Sequence, residues 1–288
     1  MDINSHIEPF INYLRNVGRS ESTIIAYKKD IEQLTKYLQN KPITKTTTKD
    51  LKQYVKYLVN NKGFTKKTAS RKINSLKTFF RYLTEAGKLT VDISLPVKHP
   101  EIENKPSRTL SPLEYKAIRD TARRNIRLYT MIELLLQTGI RIGELSRLKI
   151  EDIKLHNGIR RLIIREYESN EMRIVELNDI IAEALQNYLQ KRKKVQNDQG
   201  YLFTTRTGRN VLVRNIRTAV NRVFQKAGVQ NARVNDLRNT FICHQIEQGM
   251  DIDKLAEIVG HKRISSTEKY LSLLGKKTSG NNKVITPL

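Results

Sequence analysis

Three prolines, Pro96, Pro100 and Pro106, punctuate one short stretch of this chain, and the helical apolar pattern on either side does not cross it. Proline fixes its own φ, lacks an amide donor and biases the preceding residue away from helix. A chain interrupted in this way folds as two bodies, and 288 residues is enough for both. The pattern predicts a helical domain over residues 1–90, an extended linker over 91–108, a second domain over 109–274 and a tail over 275–288.

Upstream of the prolines the apolar residues fall into four helical stripes. Phe10, Tyr13, Leu14 and Val17 form the first; Ile24, Tyr27, Ile31, Leu34 and Leu38 form the second, beginning near the capping candidates Ser20 and Ser22. Leu51, Tyr54, Val55 and Leu58 follow a cap at Thr47 or Thr48, and Ile73, Leu76, Phe79, Phe80 and Leu83 end before Gly87. Four amphipathic helices with short connections predict a small bundle.

Downstream, Ser111 to Glu114 reads as a capped helix start with proline in the first turn. A helix through Met131–Gln137 runs into Thr138 and Gly139, and Arg141 to Leu148 is helical again. Between Asp152 and Leu177 the pattern changes. Ile159, Leu162, Ile163 and Ile164, then Ile174, Val175 and Leu177, predict two or three short strands about Gly158 and the polar run Glu168–Glu171. Helical stripes return at Ile180–Leu189, Val213–Phe224, Leu237–Ile246, Ile252–Val259 and Thr267–Leu274. The fold class is therefore mainly α with a small antiparallel β-sheet.

Charge narrows the function. Lys and Arg number 53 against 29 Asp and Glu, a formal net of +24, and residues 1–90 alone carry 18 against 7, a net of +11. An excess of this size points to a polyanionic partner, nucleic acid first. No basic amphipathic helix presents a bulky apolar face to lipid, and Met131–Leu136 is too short to span a bilayer, so no membrane role is expected. The single Cys243 makes no internal disulfide, and no Cys/His cluster has zinc spacing. Without a signal peptide at its start, the protein is expected in the cytoplasm, associated with the nucleoid, with no metal and no cofactor. Lys191–Lys194 reads as a solvated basic run.

Breaking DNA without a metal or cofactor requires a nucleophile, fixed cations around the phosphate and help for the leaving oxygen. Guanidinium groups are planar, permanently charged and bidentate toward phosphate. A tyrosine hydroxyl can attack phosphorus to form an ester that conserves the bond for rejoining. Three stretches supply such parts: Thr138-Gly139-Ile140-Arg141-Ile142-Gly143-Glu144-Leu145; Asn235-Asp236-Leu237-Arg238-Asn239-Thr240-Phe241; and Val259-Gly260-His261, with Tyr270 nine residues beyond His261. In their order and spacing the chain resembles the tyrosine recombinase (phage integrase) family, especially its compact Xer-like members, over nearly its whole length.

The resemblance implies an N-terminal core-binding domain and a C-terminal catalytic domain. It implies that Arg141 and Arg238 clamp the scissile phosphate, that His261 hydrogen-bonds it and that Tyr270 is the nucleophile, with Glu144 orienting the Arg141 region. The family cuts one strand of each duplex at a time, passes through a Holliday junction and works as a tetramer. The chain departs from the pattern at two places. Asn235 stands where the family usually has histidine, and asparagine cannot shuttle a proton near neutral pH. The run from Arg161 to Arg173 lacks the family's hairpin lysine; Arg165 is nearest its place and can stabilise the leaving oxygen only electrostatically, because its pKa is above about 12.

In the helix after Thr65, the resemblance places Arg71, Ser75 and Lys77 on a face that enters the DNA groove, with Lys67, Thr68 and Ser70 beside them; Arg206, in the turn at Gly208, is a backbone contact. The expected partners are double-stranded DNA and, on it, three further copies of the chain, the free protein being a monomer. The tail resembles a segment that docks on a neighbouring protomer through Val284 and Ile285. The expected function is site-specific recombination resolving dimers or transposon cointegrates. The rivals are a non-catalytic architectural DNA-binding protein, phage-type integration, and a topoisomerase sharing the chemistry.

Overall fold

A computed structural model describes residues 3–102, 107–168, 170–193, 195–275, 280 and 282–288. Pro106, Ser169 of the hairpin run, Lys194 of the basic run and part of the tail lie outside the described residues. The chain divides into two compact units, Met1–Lys105 and Pro106–Leu288.

The first unit holds α1 (Ile7–Asn16), α2 (Glu21–Tyr37), α3 (Thr48–Asn60) and α4 (Lys66–Glu85). Side-chain caps explain three of the starts: Ser20 accepts from the amide of Thr23, Thr47 forms a capping box with Asp50, and Thr65 accepts from the amide of Thr68. The predicted stripes meet in one core, where Phe10 packs edge-on against Phe79 with ring centroids 5.1 Å apart; Val17 alone of the first stripe is exposed, because α1 ends at Asn16. A buried polar knot fastens α2 to α4. Asp30 receives both terminal nitrogens of Arg71 (2.6 and 3.0 Å), the ammonium of Lys72 (2.7 Å) and the hydroxyl of Ser75 (2.7 Å).

The stretch expected to be an extended linker is folded onto this unit over 91–102. Val97 is buried in its core, Thr48 donates to the carbonyl of Ile93, and Ser70 shares a hydrogen bond with His99. The apolar Val97 accounts for the difference, since burying it removes a branched side chain from water.

The second unit contains α5 (Pro112–Ala122), α6 (Ile126–Thr138), α7 (Ile142–Arg147), β1 (Ile153–His156), β2 (Ile159–Ile164), β3 (Arg173–Glu176), α8 (Asp179–Lys191), α9 (Val213–Lys226), α10 (Val234–Glu247), α11 (Ile252–Val259) and α12 (Ser265–Leu273). A capping box joins Ser111 and Glu114 as predicted. α6 is buried on every side from Thr130 to Thr138 and α10 almost as fully, so these two form the centre. The strands make one antiparallel sheet in the order β1-β2-β3, with Ile164 opposite Arg173. Asn157 and Gly158 both take positive φ, as a tight two-residue hairpin turn requires.

The basic run after α8 is not a uniformly solvated face. Arg192 turns inward to pair with both oxygens of Asp198 at 2.7 and 3.0 Å. The tail lies along its own unit: Gln245 exchanges two hydrogen bonds with the backbone of Thr286, Gln137 accepts from the amide of Leu288, and Ile285 enters the core while Val284 is exposed.

Candidate active site

The site is assembled at helix ends. α6 stops at Gly139, whose left-handed φ of 61° frees the chain to turn. A Cβ there would lie 2.4 Å from the Phe241 ring, so only glycine lets this turn press against α10. Arg141 follows as the residue that opens α7. Its amide donates to Glu144 Oε2 (2.7 Å) and its Nη1 to Glu144 Oε1 (3.0 Å).

The last carbonyls of a helix have no partner within it and carry its negative end. At the end of α11, three guanidiniums take three successive carbonyls. Arg173 Nε donates to Ile258 (2.7 Å), Arg238 Nη2 to Val259 (2.6 Å) and Arg141 Nη2 to Gly260 (2.5 Å). Arg238 also donates to the carbonyl of Gly139, which ties the ends of α6 and α11 together. Gly260 takes a φ of 67°, which favours glycine, and a Cβ there would press on the guanidiniums of Arg173 at 2.8 Å and Arg141 at 3.2 Å. Residues separated by more than a hundred positions thus share one cationic locus.

Its electrostatics follow from burial. Burial pushes the Glu144 carboxyl up, but hydrogen bonds and charge from Arg173 and Arg141 override it and hold the group at about 2. Burial, followed by the neighbouring Arg141 cation, draws Arg238 down to about 9, which leaves it charged at neutrality. Among the described residues Arg238 has no ion-pair partner, so its charge is available to an anion. A cavity of about 300 Å³ reaches Arg238 and is lined also by Arg217, Arg233 and Asn235. His261 begins the loop after α11, with Nδ1 2.8 Å from the buried hydroxyl of Thr267. Burial and the cations of Arg238 and Arg141 lower its pKa to about 4.

Tyr270 lies on α12, only 4% exposed, and donates its hydroxyl to Asn239 Oδ1 at 2.9 Å. Burial raises its pKa, against the opposing pull of Arg238. The phenol therefore rests protonated on the residue that follows Arg238 in α10. Asn235, exposed at the start of α10, donates to that same Asn239 oxygen at 3.2 Å.

The structure thus gathers Arg141, Arg238, Glu144, His261, Tyr270 and Asn235 into one neighbourhood. Arg165 is instead held by carboxylates, its guanidinium pairing with Asp152 (2.5 Å) and Glu151 (2.7 Å). Two contributors had no role assigned from sequence, Arg173 and Asn239. The alternation of β3 held a signal for the first, since Arg173 falls on the inward side with Val175.

A family model for the phage integrase family matches residues 108–276, and one for the phage integrase N-terminal SAM-like domain matches residues 7–87. The chain belongs to the phage integrase family. It is 29% identical to tyrosine recombinase XerC of Lactobacillus delbrueckii subsp. bulgaricus over 277 residues, 91% of this chain and 92% of that one. To XerC of Staphylococcus aureus it is 29% identical over 278 residues, 92% and 91% of the two chains. Among solved structures, XerA recombinase is 28% identical, covers 93% of each chain and has a TM-score of 0.52. The Tn1549 transposon integrase with circular-intermediate DNA shares the fold at a TM-score of 0.78, with 20% identity and 94% coverage of both chains. As a member of the phage integrase family the chain is a site-specific recombinase, an enzyme that cleaves and rejoins DNA, as its motifs predicted.

On the face of α4 expected to meet DNA, one correction is needed. Ser75 is fully buried, because its hydroxyl is drawn inward to Asp30. Lys67 and Arg71 are exposed, while Thr68, Ser70 and Lys77 are half-buried. Arg71 reaches the surface with its guanidinium held by Asp30. Arg206 is exposed in the turn closed by Gly208, where a Cβ would strike the Asn197 carbonyl at 2.1 Å. Among the described residues no His/Cys/Asp/Glu group could hold a metal ion, and no helix is long and apolar enough to cross a membrane.

Proposed function

We propose that this recombinase opens one DNA strand by attack of the Tyr270 hydroxyl on a phosphodiester, leaving a 3′-phosphotyrosyl bond and a free 5′-hydroxyl. Arg141 and Arg238 hold the non-bridging oxygens, and His261 hydrogen-bonds the phosphate. Fixed cations of this kind stabilise the charge that grows in the transition state. Attack of a 5′-hydroxyl on the phosphotyrosyl bond reverses the step and restores the phenol, so no external energy source is consumed.

The observation that carries this reading is the convergence of Arg141 and Arg238 on consecutive carbonyls beside His261, with the Tyr270 phenol one residue from Arg238. Asn235 assists by positioning, through the acceptor it shares with Tyr270. Arg165 serves the 5′-oxygen as a cation, after exchanging its carboxylate partners for DNA. Lys67, Thr68, Ser70, Arg71 and Lys77 of α4, with Arg206, contact duplex DNA. Exchange takes place in a homo-tetramer on nucleoid DNA in the cytoplasm, passes through a Holliday junction and resolves dimers or transposon cointegrates. The protomers are joined by tails that leave their own unit.

A plasmid carrying two copies of the target site tests the reading. The wild-type chain should excise the intervening segment and Tyr270→Phe should not; excision by the phenylalanine variant would exclude Tyr270. The pairing of Arg165 with Glu151 and Asp152 favours one competing reading, an architectural DNA-binding protein. Site-specific binding without any excision by the wild type would support that alternative.

A further inference from the structure

We propose that Arg173 is a positioning residue that occupies Glu144 so that Arg141 keeps its charge for the scissile phosphate. The proposal rests on the reading of Arg141 as a phosphate clamp and extends it to a residue outside the recognised motifs.

The argument is one of charge and geometry. Glu144 is a buried carboxylate with four close donors. Each oxygen takes one terminal nitrogen of Arg173, at 2.9 and 2.8 Å. Each also takes one group of Arg141, the Nη1 at 3.0 Å and the backbone amide at 2.7 Å. The bidentate partner is thus Arg173, whose side chain is only 7% exposed and whose remaining Nε is spent on Ile258. Arg141 makes the weaker claim, giving one guanidinium nitrogen to Glu144 and one to Gly260, with its side chain 34% exposed.

Without Arg173, the single negative charge of Glu144 would face Arg141 alone. A buried carboxylate without compensation is costly, and a bidentate guanidinium pair is its strongest remedy. Arg141 would close onto Glu144 and be neutralised, and a phosphodiester would have to displace it. Arg173 removes that competition. Its hold on Ile258 also fixes the end of α11 three residues before His261.

The experiment measures covalent trapping on a duplex nicked beside the cleavage position, with bound DNA held saturating. The variants are Arg173→Gln, Arg173→Lys, Glu144→Gln and the double variant Arg173→Gln/Glu144→Gln, with Tyr270→Phe as control. Arg173→Gln should slow trapping on the order of 100-fold, the loss expected when one transition-state cation is neutralised. Removing the unbalanced carboxylate in the double variant should recover at least about 10-fold of that loss, which a purely structural arginine would not show. Arg173→Lys keeps the charge but not the bidentate pair, and should slow trapping less than Arg173→Gln does.

A double variant as slow as Arg173→Gln, or an Arg173→Gln variant at the wild-type rate, overturns the proposal. If Arg173→Gln is unfolded by circular dichroism, the lysine variant decides, and a loss beyond about 100-fold in folded protein overturns it. Trapping by Tyr270→Phe would instead overturn the underlying reading of the site.

Discussion

Each unit of this recombinase contains a buried carboxylate gripped by two cations, yet the two knots use their arginines differently. In the first unit Asp30 takes both terminal nitrogens of Arg71 and adds Lys72 and Ser75, so the guanidinium joins α2 to α4 while its side chain stays open to solvent. In the second unit Glu144 is satisfied by Arg173, and Arg141 gives it only one terminal nitrogen, the other resting on the carbonyl of Gly260. The same ionic chemistry serves as a rivet in one place and as a cradle in the other. The deciding variable is whether a dedicated second arginine absorbs the carboxylate's charge.

The largest expected effect lies with the cation that neither knot neutralises. Arg238→Ala should reduce covalent trapping by on the order of 10³-fold with DNA affinity nearly unchanged, measured by gel quantitation alongside a binding titration. Replacing the two carboxylates then separates rivet from cradle. Asp30→Ala strands Lys72 and should cost the first unit about 3–5 kcal/mol in denaturant unfolding, while DNA that is still bound is cleaved at the normal rate. Glu144→Ala should slow cleavage of bound DNA; equal effects from both variants on both readouts would erase the distinction.

Acid offers a milder probe of both knots. The folded state lowers both carboxyls, Glu144 from 4.5 to about 2 and Asp30 below 3.8. The unfolded chain therefore takes up these protons first. The stabilisation is complete above about pH 4.5 and is lost as pH falls toward 2. Unfolding curves should show this fall, and replacing Asp30 and Glu144 by amides should flatten it.

The smallest effect is a titration. His261, held at about 4 by burial and by Arg238 and Arg141, is neutral at pH 6 in the free protein. Inorganic phosphate in the cradle should offset those cations and move its NMR midpoint upward. A midpoint near 6.5 before any phosphate is added would mean that the cations do not converge there.

Much of this was legible in the sequence, where interactions are local or motifs carry their own order. The caps at Ser20, Thr47 and Ser111 act over three residues and were readable directly. Arg141, Arg238, His261 and Tyr270 stood out through spacing and resemblance. Pairings across the fold did not. Arg173 meets Glu144 across 29 positions and Arg71 meets Asp30 across 41, distances at which sequence patterns carry no register. Ser75, which the resemblance placed on the DNA-facing side, is instead drawn inward by the Asp30 carboxylate of α2. Arg192 was misread for the same reason, with Asp198 as the attractor. The packing of 91–102 and of the tail likewise depends on apolar anchors, Val97 and Ile285, too few to form a periodic stripe.

The account stands on the Tyr270 phenol leaving Asn239 to attack a phosphorus held by Arg141 and Arg238. Peptide mass spectrometry of the wild-type protein trapped on a nicked duplex tests this directly. A nucleotide adduct confined to the α12 peptide, on Tyr270, is the result expected. An adduct on any other side chain, or saturated binding with no adduct at all, would contradict it.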